Sequence, residues 1–362
     1  MTTERVFNFS SGPAVLPLPV LEEAQRDLVA LPGVGMSVLE ISHRSKPFDE
    51  ILAGALEDMR AIAGIPDNYQ ILFLQGGAST QFSMVPMNLL TAGLTADYIV
   101  TGDWGKKALK EAKKVGATAV AASTEEGNFK RIPAQAELKL TQGSAYVHMT
   151  SNNTIHGTQW HHLPDVGGAP LVADMSSDMF SRPIDVSKYG LIYAGAQKNL
   201  GPSGVTVVIV REDLLGRSAD GLPSMLNYKV QAENGSRYNT PPAFGIYILR
   251  LVLKWLKAAG GLAAIDKINE RKASALYAEL DRTAFWAPHA DKDARSRMNV
   301  TFRLGSEALE KKFARESTAA GLDGLQGHRS VGGLRASIYN AFPEEGITAL
   351  VQFMQEFERT NG

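Results

Sequence analysis

The chain contains no cysteine, which excludes disulfides, thiolate metal sites and every mechanism built on a thiol nucleophile. An excess of one charge is lacking too. Lys and Arg total 37 against 38 Asp and Glu, a formal net charge of −1, so no overall field draws nucleic acid or an anionic membrane. Any charged ligand must meet a local cluster. No apolar run approaches the roughly 18 residues a membrane span requires, and Met1 to Ser10 shows no basic stretch followed by an apolar core. A soluble, cytoplasmic protein with no membrane or nucleic-acid partner is expected. Neither the dinucleotide G-x-G-x-x-G nor the Walker G-x-x-x-x-G-K-[ST] pattern occurs, which argues against NAD or ATP as ligand.

What is present is globular in character: 362 residues, 44% hydrophobic and 21% charged, with 34 Gly and 17 Pro to make turns. That length exceeds what one core usually organises. Prolines 13, 17 and 19 predict an irregular arm over residues 1–20, lying on the surface of the body. A large α/β domain is expected over 21–260 and a small α+β domain over 261–362. Helical spacing begins at Leu21 and recurs over Pro47–Ala63, where Phe48, Ile51, Leu52, Ala55, Leu56 and Met59 repeat at three and four. Short apolar runs at Tyr69–Leu74, Tyr98–Thr101, Ala117–Ala121, Ser144–Met149, Leu171–Ala173, Leu191–Ala194 and Val205–Val210 read as strands. Apolar throughout and separated by helical or long crossovers, they predict a mostly parallel, seven-stranded sheet covered on both faces. Further helices are expected at Lys106–Val115, Ala243–Ala259, Leu262–Asp281, Glu307–Ala320 and Pro343–Glu358, with strands at Met298–Leu304 and Leu334–Ile338.

The most informative stretch is Ala194-Gly-Ala-Gln-Lys-Asn-Leu-Gly-Pro-Ser-Gly204, between two strands. A lysine in such a small-residue loop, Lys198, can be held partly desolvated; its pKa then falls below the usual ~10.4 and it becomes a nucleophilic amine. Alone it would more often be a solvated surface lysine. Leu171-Val-Ala-Asp174 places a carboxylate where a buried parallel strand ends, the edge at which open α/β sheets bind ligands. Taken alone, Asp174 could equally cap a helix or turn. Together they make the pair that pyridoxal 5′-phosphate requires, an amine for its aldehyde and an acid for its ring nitrogen. Gly76-Gly-Ala-Ser-Thr80, after a strand, offers backbone N–H groups and a helix N-terminus to a phosphate. A tight turn explains the glycines equally well. Trp104 could stack on an aromatic cofactor or simply fill the core.

Motifs spread over nearly the whole chain resemble the phosphoserine aminotransferase family, of the fold type I pyridoxal phosphate enzymes (class V aminotransferases). They are Phe7-Asn-Phe-Ser-Ser-Gly-Pro-Ala14, Glu40-Ile-Ser-His-Arg-Ser45, Gln75-Gly-Gly-Ala-Ser-Thr-Gln-Phe82, Val85-Pro-Met-Asn-Leu89 and Asn152-Asn-Thr-Ile-His-Gly157, followed by Ala173-Asp-Met-Ser-Ser177, the Lys198 loop, Tyr238-Asn-Thr-Pro-Pro242 and Gly327-His-Arg-Ser-Val-Gly-Gly-Leu-Arg-Ala336. The resemblance implies that Lys198 holds the cofactor and Asp174 pairs with its ring nitrogen. By the same likeness Trp104 stacks on the ring, Thr154 bonds its phenolic oxygen side, Gln197 supports the site, and Ala78 and Ser79 hold its phosphate. Asn239 and Thr240 would complete that phosphate grip from a neighbouring subunit, making a homodimer with shared active sites. Arg335 matches the family's α-carboxylate clamp, assisted by Ser11. His43 with Arg44 and His328 with Arg329 match the groups that hold a substrate phosphate or the glutamate side chain. The implied reaction is reversible ping-pong transamination between L-glutamate and 3-phosphohydroxypyruvate, giving O-phospho-L-serine and 2-oxoglutarate. The phosphorylated hydroxythreonine precursor of vitamin B6 is implied as a further substrate.

Two features depart from the family pattern. The turn reads Gly-Gly-Ala-Ser-Thr where relatives carry more glycine or an arginine, so part of the phosphate grip differs. His156, with His161 and His162, could suggest a metal, but the spacing fits no zinc motif and no metal is expected. A cysteine desulfurase, of the same broad fold, is excluded by the missing cysteine. Alanine–glyoxylate aminotransferase is the remaining alternative, although its small substrate has no use for two His-Arg pairs. Lys106, Lys107, Lys110, Lys113 and Lys114 form a solvated helix face without interleaved aromatics, not a nucleic-acid site.

Overall fold

Along the strand Tyr69–Leu74, Ile71 and Phe73 point into one apolar cluster while Leu72 and Leu74 point into another. The two-residue period of a strand sends alternate side chains to opposite faces, so a run apolar at every position must be covered on both. The computed structural model, which describes residues 5–218 and 221–362, builds this arrangement throughout its main sheet. That sheet has seven strands in the order Tyr69–Leu74, Thr206–Arg211, Leu191–Gly195, Leu171–Asp174, Val147–Thr150, Thr95–Val100, Ala117–Ser123. Thr206–Arg211 runs antiparallel to both neighbours and the remaining pairs are parallel. The mostly parallel seven-stranded sheet expected from the apolar runs is therefore what forms.

This topology aims chemistry at one edge. Because Tyr69–Leu74 is antiparallel to a strand that is itself antiparallel to Leu191–Gly195, it points the same way as the parallel set. The C-terminal ends of Tyr69–Leu74, Thr95–Val100, Val147–Thr150, Leu171–Asp174 and Leu191–Gly195 all open on one side. Gly76–Ser79, Trp104, Thr154, Asp174 and Lys198 lie at or just beyond those ends, as expected for ligand binding in an open α/β sheet.

The C-terminal part of the chain forms a second, antiparallel sheet of Ala287–Pro288, Asn299–Arg303 and Leu334–Ser337, packed with the helices Gly261–Leu280, Glu307–Ala319 and Glu344–Asn361. Its core is aromatic: Trp286 meets Phe302 and Phe313 edge-on, with Phe313 likewise against Phe357. Helix Gly261–Leu280 touches both bodies, Leu262 and Ile265 in the large core and Ala273, Leu276 and Leu280 in the small one.

Three local expectations need correction. The N-terminal arm lies on the surface only in part: Arg5, Val6, Gly12 and Pro13 are exposed, but Phe7–Asn8 adds a parallel strand to Leu322–Asp323 and Phe9, 0% exposed, belongs to the small aromatic core. Burial of that ring, with the Phe7 N–H donating to the Gly321 carbonyl and the Phe9 N–H to the Asp323 carbonyl, gives this stretch of the arm regular structure where its prolines predict none. The first helix begins at Leu18, with Pro19 in its first turn, where a missing N–H costs nothing. Helix Asp103–Ala112 starts earlier than the apolar spacing indicates, because Asp103 favours a helix N-terminus. Trp104 therefore sits in the first turn of this helix.

Candidate active site

Within helix Gly77–Leu89 the N-terminal turn is possible only with glycine before it. Gly76 has φ of 90°, and a Cβ there would stand 2.0 Å from Thr80 Oγ1. The backbone N–H groups that follow have no acceptor within the helix, and they face a cleft of about 400 Å³. Ala78, Ser79, Trp104, Thr154, Asp174, Gln197 and Lys198 line it, joined by Ser11 from the arm and by His328 and Arg335 from the C-terminal part of the chain. Ten of the candidate residues thus converge in one place although they come from both ends of the chain.

Asp174, 5% exposed, accepts a hydrogen bond on Oδ1 from the Ser176 N–H at 2.9 Å. Burial raises its pKa, opposed by that bonding and by the Lys198 charge. Lys198 is partly open to the cleft, yet its amine is desolvated enough for its pKa to fall to about 8, with Asp174 pulling it back up and Arg335 pushing it further down. Its Nζ lies 5.8 Å from the centroid of the Trp104 ring. Trp104 is itself fixed, donating its indole N–H to Thr154 Oγ1 at 3.0 Å.

One other lysine is buried. Lys272, 1% exposed, is pushed by burial to about 7, but it donates to the carbonyls of Ile338, Tyr339 and Phe342 at 3.0, 2.7 and 3.1 Å. All three protons of its ammonium are in use, so it is a structural pin and no nucleophile.

Arg335 is a buried cation without a counter-charge. It is 8% exposed, its Nη1 donates to the Thr154 carbonyl and its Nη2 to Ser11 Oγ, both at 2.8 Å, and its Nε has no partner. Every one of these partners is neutral. A buried guanidinium without a carboxylate is costly, and burial lowers its pKa accordingly. Ser11 is held in turn by its carbonyl, which accepts from the Tyr339 hydroxyl at 2.7 Å.

The remaining candidates lie outside this cleft. His43 and Asn239 are half-buried, and Arg44, Thr240 and Arg329 are exposed. The Thr240 carbonyl accepts from Gln75 Nε2 at 3.4 Å, beside the glycine turn of its own chain. Conversely, Thr150, Asn152, Ser176 and Ser177 line the cleft without having been singled out. Their signal was a polar residue closing or following an apolar strand. Among the described residues no cluster of His, Asp and Glu is placed to hold a metal, and no helix is long and apolar enough to cross a membrane.

The residues present suit pyridoxal phosphate: an amine with lowered pKa, a buried acid, a flat indole, a helix N-terminus shaped by glycine, and an unpaired guanidinium for a substrate anion. Comparison with known proteins agrees. The class V aminotransferase profile matches residues 6–350, and the chain belongs to that family. It is 58% identical over 362 residues to a phosphoserine aminotransferase of Desulfosudis oleivorans, covering 99% of this chain and 100% of the relative. A solved phosphoserine aminotransferase from Bacillus circulans subsp. alkalophilus superposes with a TM-score of 0.98 at 53% identity, covering 99% and 100% of the two chains. The pyridoxal phosphate-bound phosphoserine aminotransferase of Trichomonas vaginalis does so at 0.94 and 40%, covering 97% and 100%. Within class V the chain is thus a member of the phosphoserine aminotransferase family, a pyridoxal phosphate-dependent aminotransferase and not the alanine–glyoxylate alternative.

Proposed function

We propose that this enzyme moves the amino group of L-glutamate to 3-phosphohydroxypyruvate, releasing 2-oxoglutarate and O-phospho-L-serine. The observation that carries this reading is Arg335, a buried guanidinium held only by neutral groups on the same cleft as Lys198. Both amino acids and both oxo acids of the reaction bring a carboxylate to that fork, which suits it bidentately. Ser11 steadies the fork and contributes its hydroxyl.

When bound, pyridoxal phosphate supplies the electron sink that makes the substrate Cα–H acidic. Lys198 would take and return the proton at Cα, burial lowering its pKa to about 8 and so raising the fraction of neutral amine. Asp174 holds a proton on the ring nitrogen, its burial making that contact strong. Trp104 would cover the ring face, Thr154 would orient the phenolic oxygen and Gln197 would support the Lys198 side. N–H groups of Ala78 and Ser79 receive the cofactor phosphate, helped by the helix end.

Asn239 and Thr240, with His43 and Arg44, lie off this chain's own cleft, which fits a homodimer in which a second copy supplies them to the site. His43 with Arg44 and His328 with Arg329 would then hold the substrate phosphate or the glutamate side chain. We place the enzyme in the cytoplasm.

A single-turnover assay tests the reaction. Mixing holoenzyme with L-glutamate should release one 2-oxoglutarate per active site, and 3-phosphohydroxypyruvate added next should yield O-phospho-L-serine at a rate far above that for alanine from pyruvate. Equal rates with the unphosphorylated acceptor would contradict the assignment. The same assay with 4-phosphohydroxy-L-threonine as donor tests the vitamin B6 branch.

A further inference from the structure

Asn152 and Thr154 are near neighbours in the chain, yet a second path of hydrogen bonds joins them through three parts of the molecule. Asn152 Nδ2 donates to Asn299 Oδ1 at 2.8 Å, and Asn299 Nδ2 donates to the Tyr339 hydroxyl at 3.0 Å. That hydroxyl donates to the Ser11 carbonyl at 2.7 Å. Arg335 then closes the circuit, giving Nη2 to Ser11 Oγ and Nη1 to the Thr154 carbonyl, both at 2.8 Å. Ser11 belongs to the arm, Asn152 and Thr154 follow strand Val147–Thr150, Asn299 and Arg335 lie on the two longer strands of the small sheet, and Tyr339 lies just past one of them. All but Ser11 are buried. Ser11, Asn152, Thr154 and Arg335 line the cleft, whereas Asn299 and Tyr339 stand behind it.

Each bond of this circuit has one possible direction. Ser296 Oγ accepts the N–H groups of Met298 and Asn299 at 3.0 and 2.9 Å, so its own proton goes to Asn152 Oδ1. That leaves the Asn152 nitrogen to face Asn299, which must meet it with its oxygen. The Asn299 nitrogen is then turned to Ser337 Oγ and the Tyr339 hydroxyl, at 3.0 Å each. A phenol carries one proton; Tyr339, accepting from Asn299, sends its own to Ser11. Burial pushes this hydroxyl up to about 12, so the proton stays in place at neutral pH. A guanidinium only donates, which makes Ser11 Oγ the acceptor from Arg335 and leaves the Ser11 O–H for a ligand.

An ion pair would orient the Arg335 fork by charge. Here neutral groups orient it, so its aim depends on where Ser11 stands, and Tyr339 holds Ser11 by its carbonyl. We propose that Asn299 and Tyr339 are positioning residues for transamination, which act through Ser11 to keep the Arg335 fork and the Ser11 hydroxyl turned to the same substrate carboxylate. The proposal rests on the reading of Arg335 as the carboxylate fork and adds what sets its direction.

Steady-state kinetics of the holoenzyme tests it. Tyr339→Phe removes one hydroxyl and keeps the packing. It should raise KM for L-glutamate and for 3-phosphohydroxypyruvate alike, by about three- to tenfold, with kcat nearly unchanged, as expected when binding common to ground and transition states is lost. Asn299→Asp should do the same by another route, because a carboxylate accepts and does not donate, drawing the Tyr339 proton away from Ser11. A purely structural role would lower the melting temperature of these variants and leave both KM values where they were. With the fork already replaced in Arg335→Lys, adding Tyr339→Phe should change KM by less than about twofold, since the two residues act through one contact.

Unchanged KM values in Tyr339→Phe and Asn299→Asp, or full additivity with Arg335→Lys, would overturn the proposal. If Arg335→Lys raises both KM values and the other two variants raise neither, the fork stands and only its positioning by Asn299 and Tyr339 falls. If Arg335→Lys itself leaves both KM values unchanged, the reading of the fork fails and the proposal with it.

Discussion

Trp104 and Thr154 are joined by a 3.0 Å hydrogen bond from the indole N–H to the threonine hydroxyl. The aromatic wall of the cleft therefore has its tilt fixed by a residue on another strand's exit loop. Thr154→Val removes the acceptor and keeps the shape. Losing one such bond should weaken cofactor retention by up to about tenfold, measured by equilibrium dialysis, with a matching change in tryptophan fluorescence of the cofactor-free protein. Unchanged retention and emission would show that packing alone holds the ring.

Arg335 is expected to act on every substrate. Replacing its fork with a point charge, as in Arg335→Lys, should raise KM for both glutamate and the oxo acid acceptor, by on the order of a hundredfold for a charge-assisted bond of about 2–3 kcal/mol. Covalent cofactor loading should stay complete. A KM change for one substrate only would move the α-carboxylate site elsewhere.

The lowered pKa of Lys198 makes a pH prediction. The neutral amine attacks the cofactor aldehyde, and below about 8 its fraction falls tenfold per pH unit. Stopped-flow uptake of pyridoxal phosphate by the cofactor-free enzyme should speed up about tenfold from pH 6.5 to 7.5 and level off above about 8. Stability has the related sign: the folded pKa lies below the unfolded value of 10.5, so the penalty of charging this buried amine is full below about 8 and fades as pH rises towards 10.5. An uptake rate still climbing towards pH 10 would mean an ordinary, solvated lysine.

Much of this was legible before any coordinates. The seven sheet strands announce themselves because a buried parallel sheet demands apolar residues on both faces, as Ile71, Leu72, Phe73 and Leu74 show. Asp174 and Lys198 stand out only as a pair, an acid closing one buried strand and an amine in the small-residue loop beyond another. What escaped depends on distant partners. Phe9 looks like part of a loose arm until Leu322–Asp323 offers it a strand to join. Asn152 and Ser177 look like loop residues until they are seen bonded to one another in the cleft at 2.8 Å. His43, Arg44, Asn239 and Thr240 do not line the cleft of their own chain, so only the resemblance marks them.

The attachment point of the cofactor tests the account most directly. Borohydride reduction of the purified holoenzyme, followed by proteolysis and mass spectrometry, should put the cofactor's mass on the peptide carrying Lys198 and nowhere else, and Lys198→Ala should carry none. Label on another lysine, Lys272 included, or on none in an active preparation, would contradict it.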